Sequence, residues 1–154
     1  MGGFSTDLSY KGISLSAMFT YSYGAKKISN YYESLIGSVG TSVASVDLLN
    51  RWTPENTDTS IPKAITNASG YNRYSPYETD MVIQNASYLR MSTLTLSYTF
   101  PKRLASQLYL DNLRLYFTGS NLFTVTPYKG LDPEFGDWGY PPSRMYVFGI
   151  NISF

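Results

Sequence analysis

The chain of 154 residues has no cysteine and no histidine. Those two absences remove the usual Ser–His and Cys–His nucleophile pairs and every zinc site built from thiolate or imidazole. An absence of cysteine fits many compartments, so it says little about redox environment. No glycine-rich phosphate loop is present, and no run approaches the roughly 18–20 apolar residues of a spanning helix. The opening stretch "MGGFSTDLSYKG" lacks a basic end followed by an apolar core and does not read as a secretory signal. Excess charge is missing too: 12 Lys and Arg against 11 Asp and Glu leave a formal +1, with no electrostatic footprint for nucleic acid or an anionic membrane. A carboxylate pair for glycoside hydrolysis is compatible with this composition. The acids are scattered through connections with nothing to position them, so no enzyme, catalytic residue, metal or cofactor is expected.

What the chain does have is aromatic weight, 15 Tyr and 8 Phe, and an apolar rhythm of period two, the strand period. The rhythm predicts strands over about residues 4–10, 13–23, 88–100, 113–123 and 145–154. Lys11-Gly12 is a hairpin turn between the first two. In the second strand Ile13, Leu15, Ala17, Phe19, Tyr21 and Tyr23 share a face, opposite Ser14, Ser16, Met18, Thr20 and Ser22. Leu94, Leu96, Tyr98 and Phe100 repeat the pattern against Thr93, Thr95, Ser97 and Thr99, as do Leu113, Leu115 and Phe117 against Arg114, Tyr116 and Thr118. The terminal strand carries Tyr146, Phe148, Ile150, Ile152 and Phe154 on one side. Long irregular stretches fill about residues 24–86 and 124–144. A helical turn is expected around "VDLLNRW" before Pro54 ends it, and "PKRLASQLYLDN" reads as a compact connection.

Two features, one of them a further lack, separate these strands from a soluble sandwich. Residues 13–23, 92–100, 115–123 and 145–154 contain no charged side chain, although a water-facing sheet normally carries some for solubility and edge protection. The polar row is mostly Ser, Thr, Asn and Gly, and aromatics gather near strand ends at Tyr10, Tyr21, Tyr23, Tyr98, Phe100, Tyr146 and Phe154. A transmembrane barrel wants an apolar outer band, aromatic girdles and a polar lumen, and residues 145–154 match the roughly 9–11 of a tilted spanning strand. Connections run short, long, intermediate, long, matching periplasmic turns and extracellular loops; on that template residues 24–86 and 124–144 lie outside and Phe154 lies on the periplasmic side. Open strand edges cannot face hydrocarbon, and bacterial barrels begin at about eight strands. The fold class expected is therefore all-β, an antiparallel transmembrane β-barrel segment of about five strands, incomplete on its own.

The ordered pieces "LLNRWTPENTDTSIPKA", "ASYLRMSTLTLSYTFP", "LRLYFTGSNLFTVTPYKGLDPE" and "YPPSRMYVFGINISF" resemble the C-terminal end of SusC/RagA-type TonB-dependent outer-membrane transporters of Bacteroidetes, from about Phe4 to Phe154. The resemblance implies a barrel of about 22 strands with a plugged lumen. It also implies energy from TonB through a missing N-terminal region, a SusD-like surface lipoprotein partner, and import of oligosaccharides or peptides. Signal peptide, TonB box, plug and most strands of that family are not in this sequence. Other readings of the residues are a soluble β-rich glycan-binding or adhesion module and a segment of a plug-less porin-like barrel.

Candidate residues follow. Tyr146, Phe148, Ile150, Ile152 and Phe154 resemble the signal by which outer-membrane barrels are assembled; an unpaired strand is also a physical template for pairing. In "GLDPEFGDWGYPP", Asp132, Glu134 and Asp137 sit among Phe135, Trp138 and Tyr140, a set that suits contact with a sugar or partner or a rigid Pro-braced loop. Its spacing is not that of an EF-hand. Arg51 and Trp52 of "RWTPENTDT" suit loop anchoring or ligand contact. Arg114, Tyr116, Thr118, Ser16 and Thr95 read as lumen-facing. Asn67, Asn85 and Asn151 lie in N-x-S contexts that we read as chance.

Overall fold

The computed structural model describes residues 1–37, 43–64 and 80–154, so Asn67 lies outside the described residues. The chain divides into two compact units: Met1–Tyr23 with Ser87–Thr126 and Pro142–Phe154, and Gly24–Ala86 with Pro127–Pro141.

The first unit is an antiparallel sheet of five strands: β1 (Gly2–Tyr10), β2 (Ile13–Ser22), β5 (Tyr88–Thr99), β6 (Asn112–Val125) and β7 (Met145–Ser153), ordered β1-β2-β5-β6-β7. Between β2 and β5 the chain forms two short strands of the second unit, β3 (Lys26–Ile28) and β4 (Ile83–Asn85). The β1–β2 hairpin turns on Lys11 and Gly12, with φ of 47° and 87°. Two consecutive positive φ values are the type I′ geometry whose twist matches the flanking strands. A side chain at residue 12 would drive its Cβ to 2.6 Å from the Thr99 carbonyl oxygen, so glycine is required there on two counts. Between β5 and β6, α2 (Lys102–Gln107) begins after Pro101 and ends with Tyr109 at a φ of 57°. The compact connection expected there is thus a short helix closed by a left-handed cap.

Register turns the period-two pattern into rows across the sheet. Leu8, Leu15, Leu96, Phe117 and Phe148 are successive partners, as are Tyr10, Ile13, Tyr98, Leu115 and Ile150. The opposite face carries the rows Ser9, Ser14, Ser97, Tyr116, Gly149 and Asp7, Ser16, Thr95, Thr118, Val147. On the apolar face rings meet across strands, Phe4 stacked on Phe19 at 4.9 Å and Phe117 tilted against Phe148 at 4.8 Å between centroids; such cross-strand pairs contribute about 0.2–1 kcal/mol each. On the polar face hydroxyls pair with hydroxyls: Thr95 with Thr118 at 3.1 Å and Thr20 with Ser92 at 2.9 Å, while Arg114 donates to Ser97 Oγ at 2.9 Å.

The alternation is interrupted once, where the β2–β5 register shifts between Met18 and Phe19 and the β5–β6 register shifts between Met91 and Thr93. Ser92 is the extra residue on β5 relative to β2, whereas across the β5–β6 pairing the single Ser92 lies opposite two residues, Asn121, with a φ of 53°, and Leu122. Bulges of this kind increase twist and bend the sheet, which a closing barrel wall needs.

The second unit holds a two-stranded ribbon of β3 (Lys26–Ile28) and β4 (Ile83–Asn85), helix α1 (Asn30–Gly37), and short 3-10 turns at Val46–Asn50 and Asp80–Val82. The turn at Val46–Asn50 falls where "VDLLNRW" predicts one, and Ser45 Oγ accepts the Asp47 amide at 3.2 Å to cap it. Ser29 starts α1 in the same way, accepting the Tyr32 amide at 3.2 Å. Ser29, Tyr32, Ile36, Ile61, Val82, Ala86 and Tyr128 are buried in this unit. Residues 24–86 and 124–144, which read as irregular in sequence, are therefore partly ordered around a small core of their own.

Candidate functional site

Two features call for a functional account: the apolar sheet face and the polar interior of the second unit. The sheet is a single layer, yet a soluble domain would bury such a face against a second layer. Here Leu8, Ile13, Leu96, Phe148, Ile150 and Ile152 stay exposed, Phe148 at 79%. No charged residue lies in those rows. A continuous exposed apolar surface of this kind marks contact with a partner or a membrane. Tyr10 and Tyr98 fall in one cross-strand row, as an interfacial aromatic belt requires. Tyr146, Phe148, Ile150 and Ile152 are all exposed and follow this face along β7, and Phe154, one residue beyond the end of the strand, is exposed as well.

In the second unit, Asp132 and Asp137 are buried and engaged within the protein. Asp132 Oδ1 accepts the amides of Glu134 at 2.8 Å and Phe135 at 3.3 Å, folding the loop on itself. Asp137 accepts the Asn30 amide on Oδ2 at 2.6 Å and the Tyr128 hydroxyl on Oδ1, and Lys27 Nζ stands 3.6 Å from that same oxygen. Lys27 also donates to the Asp132 carbonyl at 3.1 Å and to that of Phe135, and lies 4.8 Å from the Tyr128 ring centre. Burial pushes the Asp137 carboxyl up, but hydrogen bonds from Tyr128 and the Asn30 amide, with the Lys27 charge, outweigh it and hold it below the usual range. Burial and the bond to Asp137 push the Tyr128 hydroxyl up to about 12.

A second cluster repeats the chemistry with the segments exchanged. Lys129 Nζ meets Asp47 Oδ2 at 2.6 Å, the Tyr32 hydroxyl donates to the same oxygen at 2.6 Å, and Lys129 lies 5.1 Å from the Tyr32 ring centre. Hydrogen bonds from Lys129 and Tyr32 lower the Asp47 carboxyl, and burial followed by the bond to Asp47 raises the Tyr32 hydroxyl. Each cluster is one Lys, one Asp and one Tyr, with the cation over the ring.

The sequence-derived contact residues thus divide. Trp138 (74% exposed) and Tyr140 (86%) face outward, Trp138 edge-on to Tyr31 at 6.3 Å. Glu134 is also exposed, whereas Asp132 and Asp137 point inward. Arg51 and Trp52 lie in a separate small bridge: Arg51 pairs with Ile61, the Trp52 amide donates to the Ile61 carbonyl at 2.8 Å, and the Arg51 guanidinium donates to the Leu48 carbonyl at 3.2 Å. Among the described residues, no three carboxylates converge as a metal site would require. Lys27, Tyr32, Asp47, Tyr128 and Lys129 were not legible as a group, since single Lys and Tyr residues in polar loops carry no spacing signal. The one available cue was Ser29 ahead of Tyr32, Ile36 and Gly37, a cap and face pattern for a helix.

No family model matches the chain. TonB-dependent receptor P3 of Formosa agariphila is 32% identical over 169 aligned residues, which cover 99% of this chain and 16% of that protein. TonB-dependent receptor SusC of Bacteroides thetaiotaomicron is 35% identical over 92 residues, 56% of this chain and 9% of SusC. Among solved structures, the RagAB peptide transporter superposes with a TM-score of 0.79 at 38% identity, covering 99% of this chain and 17% of the matched one. The chain therefore spans about one-sixth of the length of the relatives it matches end to end. With an open antiparallel sheet, an uncharged apolar face and these relatives, the chain belongs to the SusC/RagA-type TonB-dependent receptors of the outer membrane, as a segment of their β-barrel.

Proposed function

We propose that this chain is the C-terminal barrel segment of a TonB-dependent transporter that imports oligosaccharides or peptides with a SusD-like surface lipoprotein. The observation that carries this is the sheet itself: five strands with a charge-free apolar face and a hydroxyl-lined opposite face, matching the RagAB transporter at a TM-score of 0.79. Lipid covers the apolar rows, and the hydroxyl rows, with Arg114, Tyr116, Thr118, Ser16 and Thr95, face the plugged lumen. Energy from TonB enters through the remainder of the protein. Phe154 lies on the periplasmic side, and the loops of the second unit face outside. There Trp138, Tyr140 and Glu134, with Arg51 and Trp52, contact substrate or partner. Deleting the gene for the whole protein tests the transport reading. Uptake of a fluorescein-labelled malto-oligosaccharide or of a fluorescein-labelled peptide mixture is expected to fall and to return with a plasmid copy. Retention of both activities would contradict it.

The terminal row Tyr146, Phe148, Ile150, Ile152 and Phe154 serves as the assembly signal in this reading. Its alternation presents an aromatic edge that a partner strand can extend. Phe154→Ser in the whole protein is expected to lower the amount recovered folded in the outer-membrane fraction; unchanged recovery would remove this role.

A further inference from the structure

The two Lys–Asp–Tyr clusters are reciprocal. Residues 24–86 supply the lysine of the first (Lys27) and the carboxylate of the second (Asp47), while residues 127–141 supply the carboxylate of the first (Asp137) and the lysine of the second (Lys129). Tyr128 of the first and Lys129 of the second are consecutive in the chain, so the clusters are joined through one peptide bond. The Gln84 side-chain oxygen accepts the Lys129 amide at 2.9 Å and holds that dipeptide.

Their points of grip on α1 are two residues apart, both in its first turn. Asp137 takes the Asn30 amide at 2.6 Å, and Asp47 takes the Tyr32 hydroxyl at 2.6 Å. Between them Tyr31 meets Trp138, the residue after Asp137, edge-on with an interplanar angle of 79°. A carboxylate on the first amide of a helix is favoured both as hydrogen-bond acceptor and by the helix dipole.

We infer that Asp137 and Asp47 are positioning residues that fix the outward Tyr31–Trp138 pair by clamping the first turn of α1 from both sides. The inference deepens the reading of Trp138 as a contact residue and rests on it for its functional meaning. Its physical content is separate: the aromatic pair is preorganised, so that a ligand or partner meets rings whose freedom is already restricted. Asp132 and Asp137 accordingly act from inside the loop, while Trp138 makes the contact.

Hydrogen–deuterium exchange on the full-length protein in detergent tests this. Asp137→Asn keeps the shape and removes the charge. Amide exchange is expected to rise on the order of tenfold in residues 29–37 as well as 127–141, the size expected when a charged hydrogen-bond acceptor is lost, with β2 and β5 unchanged. Tyr128→Phe should act in the same direction more weakly, and it carries the test should Asp137→Asn fail to assemble. Asp47→Lys and Lys129→Asp should each loosen residues 30–33, and the double exchange should restore most of the protection. A rise confined to the neighbourhood of the substituted residue, or a double exchange no better than the singles, would overturn the inference. Trp138→Ala separates the two layers: it should lower uptake of the labelled probe without loosening α1. Uptake unaffected by Trp138→Ala, with α1 still loosened by Asp137→Asn, would remove the contact reading and leave the clamps standing.

Discussion

Replacing Phe148 with arginine tests which side of the sheet faces hydrocarbon. Phe148 is in the middle of β7, opposite Phe117, in the row that runs through Leu96 and Leu15 to Leu8. It is 79% exposed, so little of the protein shields a new charge. On a lipid-facing position near the bilayer midplane, Arg costs about 2–4 kcal/mol. Losing the ring pair with Phe117 (centroids 4.8 Å apart) adds about 0.5–1.5 kcal/mol. The sum, about 2.5–5.5 kcal/mol, lowers the folding equilibrium constant on the order of fiftyfold or more. Val147→Arg is the control: it places the same charge one residue away, in the row of Thr118, Thr95 and Ser16. A cation on a wet face should change stability by only about 0.5 kcal/mol. Full-length variants folded into phospholipid vesicles and titrated with guanidinium would read the difference, with recovery from the outer-membrane fraction as a second measure. Equal tolerance of the two substitutions, or a greater loss for Val147→Arg, would refute the face assignment.

Two further predictions follow from close contacts and from protonation. Gly149 lies beneath the Tyr116 ring, and a Cβ there would collide with the ring carbons; an aromatic covering a strand glycine is a known way to hold an edge. Gly149→Ala should therefore cost about 1–3 kcal/mol in the same titration, and Tyr116→Ala in combination should recover part of it; no recovery would mean the ring is not the obstacle. The second unit should loosen in acid. Asp137 and Asp47 are held below the usual carboxylate range, so their stabilisation is complete above the unfolded value of 3.8 and is lost as pH falls through the lower folded values. Tyr128, raised to about 12 from 10.0, gives stabilisation that is complete below pH 10.0 and lost toward 12. Pepsin cleavage within residues 127–141, normalised to a control peptide, should accelerate below pH 3.8, and less so in Asp137→Asn; a pH-independent rate would contradict the clamps.

The strands were legible because side-chain alternation is a local property of each strand, and register only had to align rows already present. Leu96 reads as apolar-facing from "TLTLSYTF" alone, and its partners Leu15 and Phe117 read so independently. Boundaries were less so: β1 begins at Gly2 and β6 runs from Asn112 to Val125, since Gly2 and Gly3 carry no pattern and their pairing with Tyr21 and Thr20 defines the strand. The bulge at Ser92 was invisible, because an extra residue exists only relative to a partner strand. Helix α1 was missed inside a polar stretch, where Ser29 and Gly37 were its only punctuation. The clamps lay furthest from reach, since Lys27 and Asp137 meet only after the chain has passed through two strands of the sheet, β5 and β6. The same polar residues that read as loop filler or ligand contacts are half internal staples and half outward surface, and only burial separates Asp137 from Trp138.

The central claim is that one face of this sheet meets lipid and the other does not. Single cysteines placed in turn at residues 146–153 of the full-length protein, with any cysteine outside this cysteine-free segment replaced by serine, are spin-labelled in phospholipid vesicles and measure it directly. Collision rates with lipid-soluble oxygen should peak at Tyr146, Phe148, Ile150 and Ile152. Collision with a water-soluble nickel chelate should show no such peaks at those positions and should not exceed its value at Val147, Gly149 and Asn151. A period-two oxygen profile in this phase is the predicted result. A flat profile, or oxygen peaks at Val147, Gly149 and Asn151, would contradict the account.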